Sequence, residues 1–149
     1  MPQTRATEKA SWPEVTFTIG KVSREGELLQ IVLHDSDVHE LEDAQSLMKA
    51  LRTVTSRANP GPLITDVRET TVGPTKAARD YYASDDAQGY ATCNALLVAT
   101  AYQKLIGNFI AMLNSPKTPM RLFTDAGEAL EWCFETHAQH AESVPNSIL

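Results

Sequence analysis

Hydrophobic positions along this chain change period several times, and the changes divide it into strands and helices. Residues 15–21, VTFTIGK, alternate and place Val15, Phe17 and Ile19 on one face of a β-strand. Residues 28–34, LLQIVLH, form a second β-rich run, and SREGE between the two contains the glycine of a turn. A connection that short joins antiparallel neighbours, so the pattern predicts a β-hairpin. Beyond Asp35 and Asp37, apolar residues at Leu41, Ala44, Leu47, Met48, Leu51 and Val54, followed by Thr55, recur every three or four positions and predict an amphipathic helix. Asn59-Pro60-Gly61-Pro62 stops it, because Pro and Gly do not continue a helix cheaply.

A third strand is expected over 63–67, then a helix from near Pro74 that buries Ala77, Ala78 and Tyr81 and ends in the Asp-rich stretch 84–89. Residues 95–99 are apolar at every position, as in a central strand covered on both faces. Tyr102, Leu105, Ile106, Phe109, Met112 and Leu113 form another helical stripe, closed by Asn114-Ser115-Pro116. Residues 120–123 predict a short last strand. Thr124 or Asp125 caps the closing helix, with Glu128 placed as in a capping box and Ala126, Ala129, Leu130, Cys133 and His137 on its inner face. The order ββαβαβαβα implies an α/β domain with a mostly parallel sheet and one antiparallel hairpin. Residues 1–13 read as a flexible arm, 14–140 as the domain and 141–149 as a tail.

Composition narrows the function classes. A chain of 149 residues with 42% hydrophobic content supports one core without disulfides or metal. A net charge of -6 and the absence of a Lys/Arg cluster argue against a nucleic-acid partner. No apolar run approaches the ~20 residues that cross a bilayer, and the N-terminus lacks the apolar stretch of a signal peptide, so a soluble cytoplasmic protein is expected. In that compartment Cys93 and Cys133 are expected as free, buried thiols.

The segment 63–79, LITDVRETTVGPTKAAR, is the leading candidate site, since it runs from a strand through a loop into a helix, where open α/β domains carry ligands. Asp66, Arg68, Thr70, Thr71, Lys76 and Arg79 make up this candidate surface. Thr100 and Tyr102 join it from the end of the next strand, with Asp35, Asp37 and Thr124 along the same edge. Local hydrogen bonding alone also favours Asp and Thr at such positions. His137 with His140, and His34 with His39, each offer two metal ligands without a third, so no metal site is expected. Cys93 has no nucleophile motif around it, and no acid, base and nucleophile assemble; the expectation is a non-enzyme without a cofactor. Tyr81, Tyr82, Tyr90 and Tyr102 are suited to lining an apolar cleft or to filling the helix–sheet core.

Three segments carry a family resemblance: 63–79; GNFIAMLNSP at 107–116; and PMRLFTD at 119–125, leading through Ala129 and Leu130 to Trp132. With this element order the chain resembles the STAS domains, the SpoIIAA-like fold of the anti-sigma-factor antagonists, and especially their uncharacterised bacterial relatives. The resemblance implies a mostly parallel sheet flanked by helices and a regulatory domain acting through protein contact, with an anti-sigma-factor-like kinase as the candidate partner. It places Thr75 where the antagonists carry their phosphorylated serine, with Pro74 in place of the acidic residue before it. A phosphate there would meet a helix N-terminus with Lys76 and Arg79 nearby. The distant kinship of this fold with the CRAL-TRIO lipid carriers implies an alternative, a small apolar ligand in a cleft bounded by the 82–90 loop and the 102–113 helix. A homodimer is compatible with both.

Overall fold

Two close backbone approaches set the register of the sheet. The structure, a computed structural model, describes residues 13–100, 103 and 117–143. The run expected as one strand over 15–21 is broken by a turn at Thr18 and Ile19. It forms strand β1 (Glu14–Phe17) and the start of β2 (Gly20–Glu25), with Phe17 opposite Gly20. Strand β2 continues through Ser23 to Glu25, expected as turn, so that only Gly26 and Glu27 lead into β3 (Leu28–Leu33). Gly26 has φ +62°, a region that a residue without Cβ enters freely. The expected hairpin is therefore a three-stranded meander. Its break is tolerated because Gly20 lies against β3, where a Cβ would come within 2.2 Å of the Val32 carbonyl oxygen.

The second close approach lies at the start of β4 (Gly61–Asp66), which begins two residues earlier than expected. Pro62 is fully buried in this central strand, a place where its missing N–H would ordinarily break the ladder. The register shifts between Gly61 and Pro62, so the proline sits at an irregularity where pairing is already interrupted. From there β4 runs parallel to β3 and to β5 (Ala91–Leu97), and β5 runs parallel to β6 (Met120–Phe123). The six-stranded sheet has the order β1-β2-β3-β4-β5-β6.

Each face of the sheet carries its own core. Helix α1 (Leu41–Leu51) places Leu47, Met48 and Leu51 against Val22, Leu29, Ile31 and Leu63. Its start is fixed by Asp43, whose carboxylate accepts from the Glu40 N–H at 2.8 Å and from the Thr18 hydroxyl at 2.6 Å. Helix α3 (Ala126–Ser143) places Ala129 and Cys133 against Ile64, Cys93, Ala95, Leu97 and Phe123 on the opposite face. Its N-terminus is capped by Asp125, which accepts from the Gly127 N–H at 3.0 Å. Leu130, expected inside, is 39% exposed, and the helix continues to Ser143, past the expected end of the domain. The two cysteines, 40 positions apart, are free and fully buried together, with the Cys93 thiol donating to the Cys133 carbonyl at 3.5 Å. The neighbouring Cys93 thiol, together with burial, pushes the Cys133 thiol up.

Helix α2 (Lys76–Tyr82) is short. Its cap is Thr75, whose hydroxyl accepts from the Ala78 N–H at 3.3 Å, so Pro74 precedes the helix and does not occupy its first turn. Ala78 is its buried residue, whereas Ala77 is exposed and Tyr81 half-buried. The helix expected over 102–113 lies outside the described residues, apart from helical Gln103, as do residues 1–12 and 144–149.

A Cβ at Gly61 would lie 2.2 Å from the Glu27 carbonyl oxygen, with backbone on both sides of the contact. Gly61→Ala is expected to destabilise the protein by about 1–3 kcal/mol through overpacking. Urea denaturation measures this, and an unchanged midpoint would show that the β2–β3 turn moves aside freely.

Candidate functional site

On the α1 and α2 side of the sheet, alternate residues of the parallel strands point the same way: Ile31 and Leu33 from β3, Leu63 and Thr65 from β4, Asn94 and Leu96 from β5. The side chains of α1 and α2 do not close over all of this surface. Between sheet and helices lies a cavity of about 340 Å³. Loop 70–74 forms one wall, and Tyr82, Ala83, Ala87, Gln88, Gly89 and Tyr90 form another. The volume falls in the range of small-molecule sites, and the lining has their character, mostly apolar with a few polar groups.

Those polar groups are partly matched to one another. The buried Thr65 hydroxyl donates to Asn94 Oδ1 at 2.8 Å, and the Asn94 amide nitrogen has no acceptor among the described residues. His39 is 7% exposed, with Nε2 at 2.6 Å from the Tyr82 hydroxyl. Burial holds the His39 pKa below its ordinary value, against the opposing pull of the Asp43 carboxylate. Burial likewise raises the Tyr82 pKa. Both groups are therefore neutral at pH 7 and share one hydrogen bond, whose direction follows the imidazole tautomer. Gln103 bridges two walls, accepting from the Ala99 N–H at 2.7 Å and donating to the Thr70 carbonyl at 2.9 Å.

The loop 84–90 is held by two arginines that follow α1. Arg52 donates to the Asp86 carboxylate at 2.9 Å and to the Tyr90 hydroxyl at 3.2 Å. Arg57 reaches the Asp85 carbonyl at 2.6 Å and the Gln88 carbonyl at 3.0 Å, with its guanidinium 4.6 Å from the Tyr90 ring centroid. The cavity wall is thus a braced loop.

The sequence-predicted candidates divide between the cavity and the outer corner. Thr70, Thr71 and Arg79 line the cavity, and Tyr102 lies outside the described residues. Asp66, Arg68, Thr75, Lys76 and Thr100 are not among the lining residues. Arg68 grips Asp66 with Nε at 3.0 Å and Nη2 at 2.8 Å from its two oxygens, which holds the Asp66 carboxyl below the usual range. Thr71 donates to Asp35 at 3.1 Å, Thr100 accepts from the Gln103 N–H at 3.1 Å, and the exposed Lys76 pairs with Asp80 at 2.8 Å. Tyr82 and Tyr90, expected to line a cleft or fill the core, line the cavity, and His39, named as a metal ligand, pairs with Tyr82 instead; Arg52, Arg57 and Asn94 were not among the candidates. Asn94 lies one residue before the run expected as a strand over 95–99, and the strand begins four residues earlier, at Ala91, which brings Asn94 into the sheet. Among the described residues no group of three or more His, Cys, Asp or Glu could hold a metal ion, and no helix is long and apolar enough to cross a membrane.

The family model "Domain of unknown function (DUF7793)" matches residues 22–136. The chain belongs to the DUF7793 family. No curated protein matches it. A solved structure of an uncharacterized protein from the DUF3478 family, from Shewanella loihica PV-4, is described as having a SpoIIAA-like fold. It aligns with this DUF7793 protein over 83% of this chain and 97% of that one, at 17% identity and a TM-score of 0.52. That likeness shows the fold: this DUF7793 protein is an α/β, SpoIIAA-like domain, as its resemblance to STAS domains implies.

Folded His39 binds its proton more weakly than the unfolded chain does, so unfolding takes up a proton below the ordinary pKa of 6.5. The associated stability is complete above that pH and is lost as the pH falls from there toward the lower folded value. Melting temperatures of the DUF7793 protein and its His39→Gln variant, followed between about pH 7 and pH 5, should show a shallower decline in the variant. Parallel declines would assign the effect to other groups.

Proposed function

We propose that this DUF7793 protein is a non-enzymatic binding module that holds a small apolar or amphipathic molecule in the cavity beside the β4–α2 corner. The observation that carries this reading is the cavity of about 340 Å³, walled by aliphatic and aromatic side chains and braced by Arg52 and Arg57. Unfilled volume costs stability, because its lining forgoes contacts that a packed core would make. A molecule that fills it recovers those contacts. The polar groups at the wall favour recognition over chemistry, since Thr65 is bonded to Asn94 and His39 to Tyr82.

The first test is occupancy. Nile red, a neutral apolar dye, should bind the purified protein with a fluorescence gain, and Leu96→Trp, which fills the cavity from β5, should weaken that binding by about tenfold, or ~1.4 kcal/mol, without lowering the melting temperature. Full binding by a folded Leu96→Trp variant would place the dye elsewhere and remove the main support for the reading.

A second reading, partner switching of the anti-sigma-factor-antagonist type, draws on the position of Thr75. Its hydroxyl caps α2 on the exposed corner, with Lys76 beside it. A kinase-like partner acting there would leave a phosphate on Thr75. Phosphosite mapping of the protein from its native cell should then find Thr75 modified, and Thr75→Glu should alter partner capture. An unmodified corner across growth conditions, with capture unchanged, would leave only phosphorylation-independent contact.

A further inference from the structure

The cavity reading leaves the charge of the bound molecule open, and the side chains at its wall supply it. Among the described lining residues Arg79 carries the only full charge, with no Asp, Glu or Lys beside it, and His39 is held neutral by burial. Arg79 is half-buried on α2, where it donates to the Pro74 carbonyl at 2.8 Å. No carboxylate pairs with it among the described residues. Of the other cations of the same region, Arg57 also lacks a carboxylate partner but spends its guanidinium on the Asp85, Asp86 and Gln88 carbonyls and the Tyr90 ring, and four more are each paired with an acid. Arg68 is held by Asp66, Arg52 by Asp86, Lys76 by Asp80 and Lys117 by Asp85. In a chain of net charge -6, which carries 19 acidic residues against 13 Lys and Arg, an arginine left without an acid at an apolar cavity is a selective feature.

We propose that the cavity binds a monocarboxylate with an aliphatic chain, its carboxylate held by Arg79 and its chain lying against Leu63, Leu96 and Met120. The inference rests on the cavity reading above and adds the charge and the head group. A guanidinium presents parallel N–H donors that match a carboxylate, and the bond to Pro74 uses one nitrogen, leaving others for the ligand. A single arginine balances a monoanion, whereas a phosphate dianion would call for a second cation, which the described lining lacks. The low polarity of the wall strengthens the attraction by excluding water around it. A cationic or neutral amphiphile of equal length gains nothing from Arg79, and the cation is repelled.

The experiment competes Nile red from the full-length protein at pH 8 with matched pairs: octanoate and octanol, decanoate and decanol, dodecanoate and dodecanol, with decyltrimethylammonium as the cationic counterpart. In the wild type the best alkanoate should displace the dye about tenfold more tightly than its alkanol, the size expected for a charge-assisted hydrogen bond, and the cation should be weakest. Arg79→Met should abolish the advantage of the alkanoate while leaving alkanol competition in place, which also reports that the variant is folded. Equal competition by alkanoate and alkanol in the wild type would overturn the carboxylate assignment and leave the cavity reading standing. An alkanoate advantage that survives in Arg79→Met would overturn the role of Arg79. Failure of every amphiphile and of the dye itself would overturn both readings.

Discussion

The rest of the structure depends on the burial of β4 from both sides. Its first five residues are buried, and successive side chains enter different cores, with Leu63 in the layer under α1 and Ile64 in the layer under α3. Such a strand pairs with β3 and β5 in one register, because a slip by one residue would exchange the two faces. Close contacts fix that register further. Gly61 lies against the Glu27 carbonyl, and Pro62 occupies the irregularity beside it, so the strand enters the sheet at a defined point. Everything at its carboxyl end, from the Asp66–Arg68 fork to the Thr75 cap, is positioned by that entry.

The same alternation produces the cavity. Leu63 and Thr65 of β4 face the same layer as Asn94 and Leu96 of β5, and in this layer two of the four side chains are polar. Thr65 and Asn94 satisfy one another at 2.8 Å, so the sheet carries them without an unbonded buried atom. They fill less space and attract apolar neighbours less strongly than leucines would. On the other face the positions next to them are Ile64, Cys93 and Ala95, which pack against α3. One sheet thus has a filled face and a face with room.

Charge is arranged in the same divided way. The outer corner neutralises itself through local pairs, two of them within α2 or the β4 end, and these exposed pairs contribute little stability in water. Their effect is to leave the surface with few unbalanced cations. Arg52 and Arg57 are directed instead at loop 84–90, where carbonyl, carboxylate and ring contacts hold the cavity wall in place. Among the described residues that line the cavity, Arg79 alone carries a full charge.

Periodicity determined most of the fold. The 3.6-residue stripe of α1, the short strand at 120–123 and the capped start of α3 follow from local pattern and capping chemistry, which need no knowledge of neighbours. The strand–loop–helix corner was legible for the same reason. What sequence misjudged were positions governed by contacts distant in the chain: the break at Thr18 and Ile19, the entry of Gly61 and Pro62 into a central strand, and the outward turn of Leu130. The first two depend on backbone from another element, the Val32 and Glu27 carbonyls, which no local window contains. The cavity is of the same kind. It is a volume left between layers, and its lining draws Leu33, Asn94 and Arg79 from segments far apart in sequence, so only the packing of the sheet against α1 and α2 decided that it exists and that the one full charge among its described lining residues is positive.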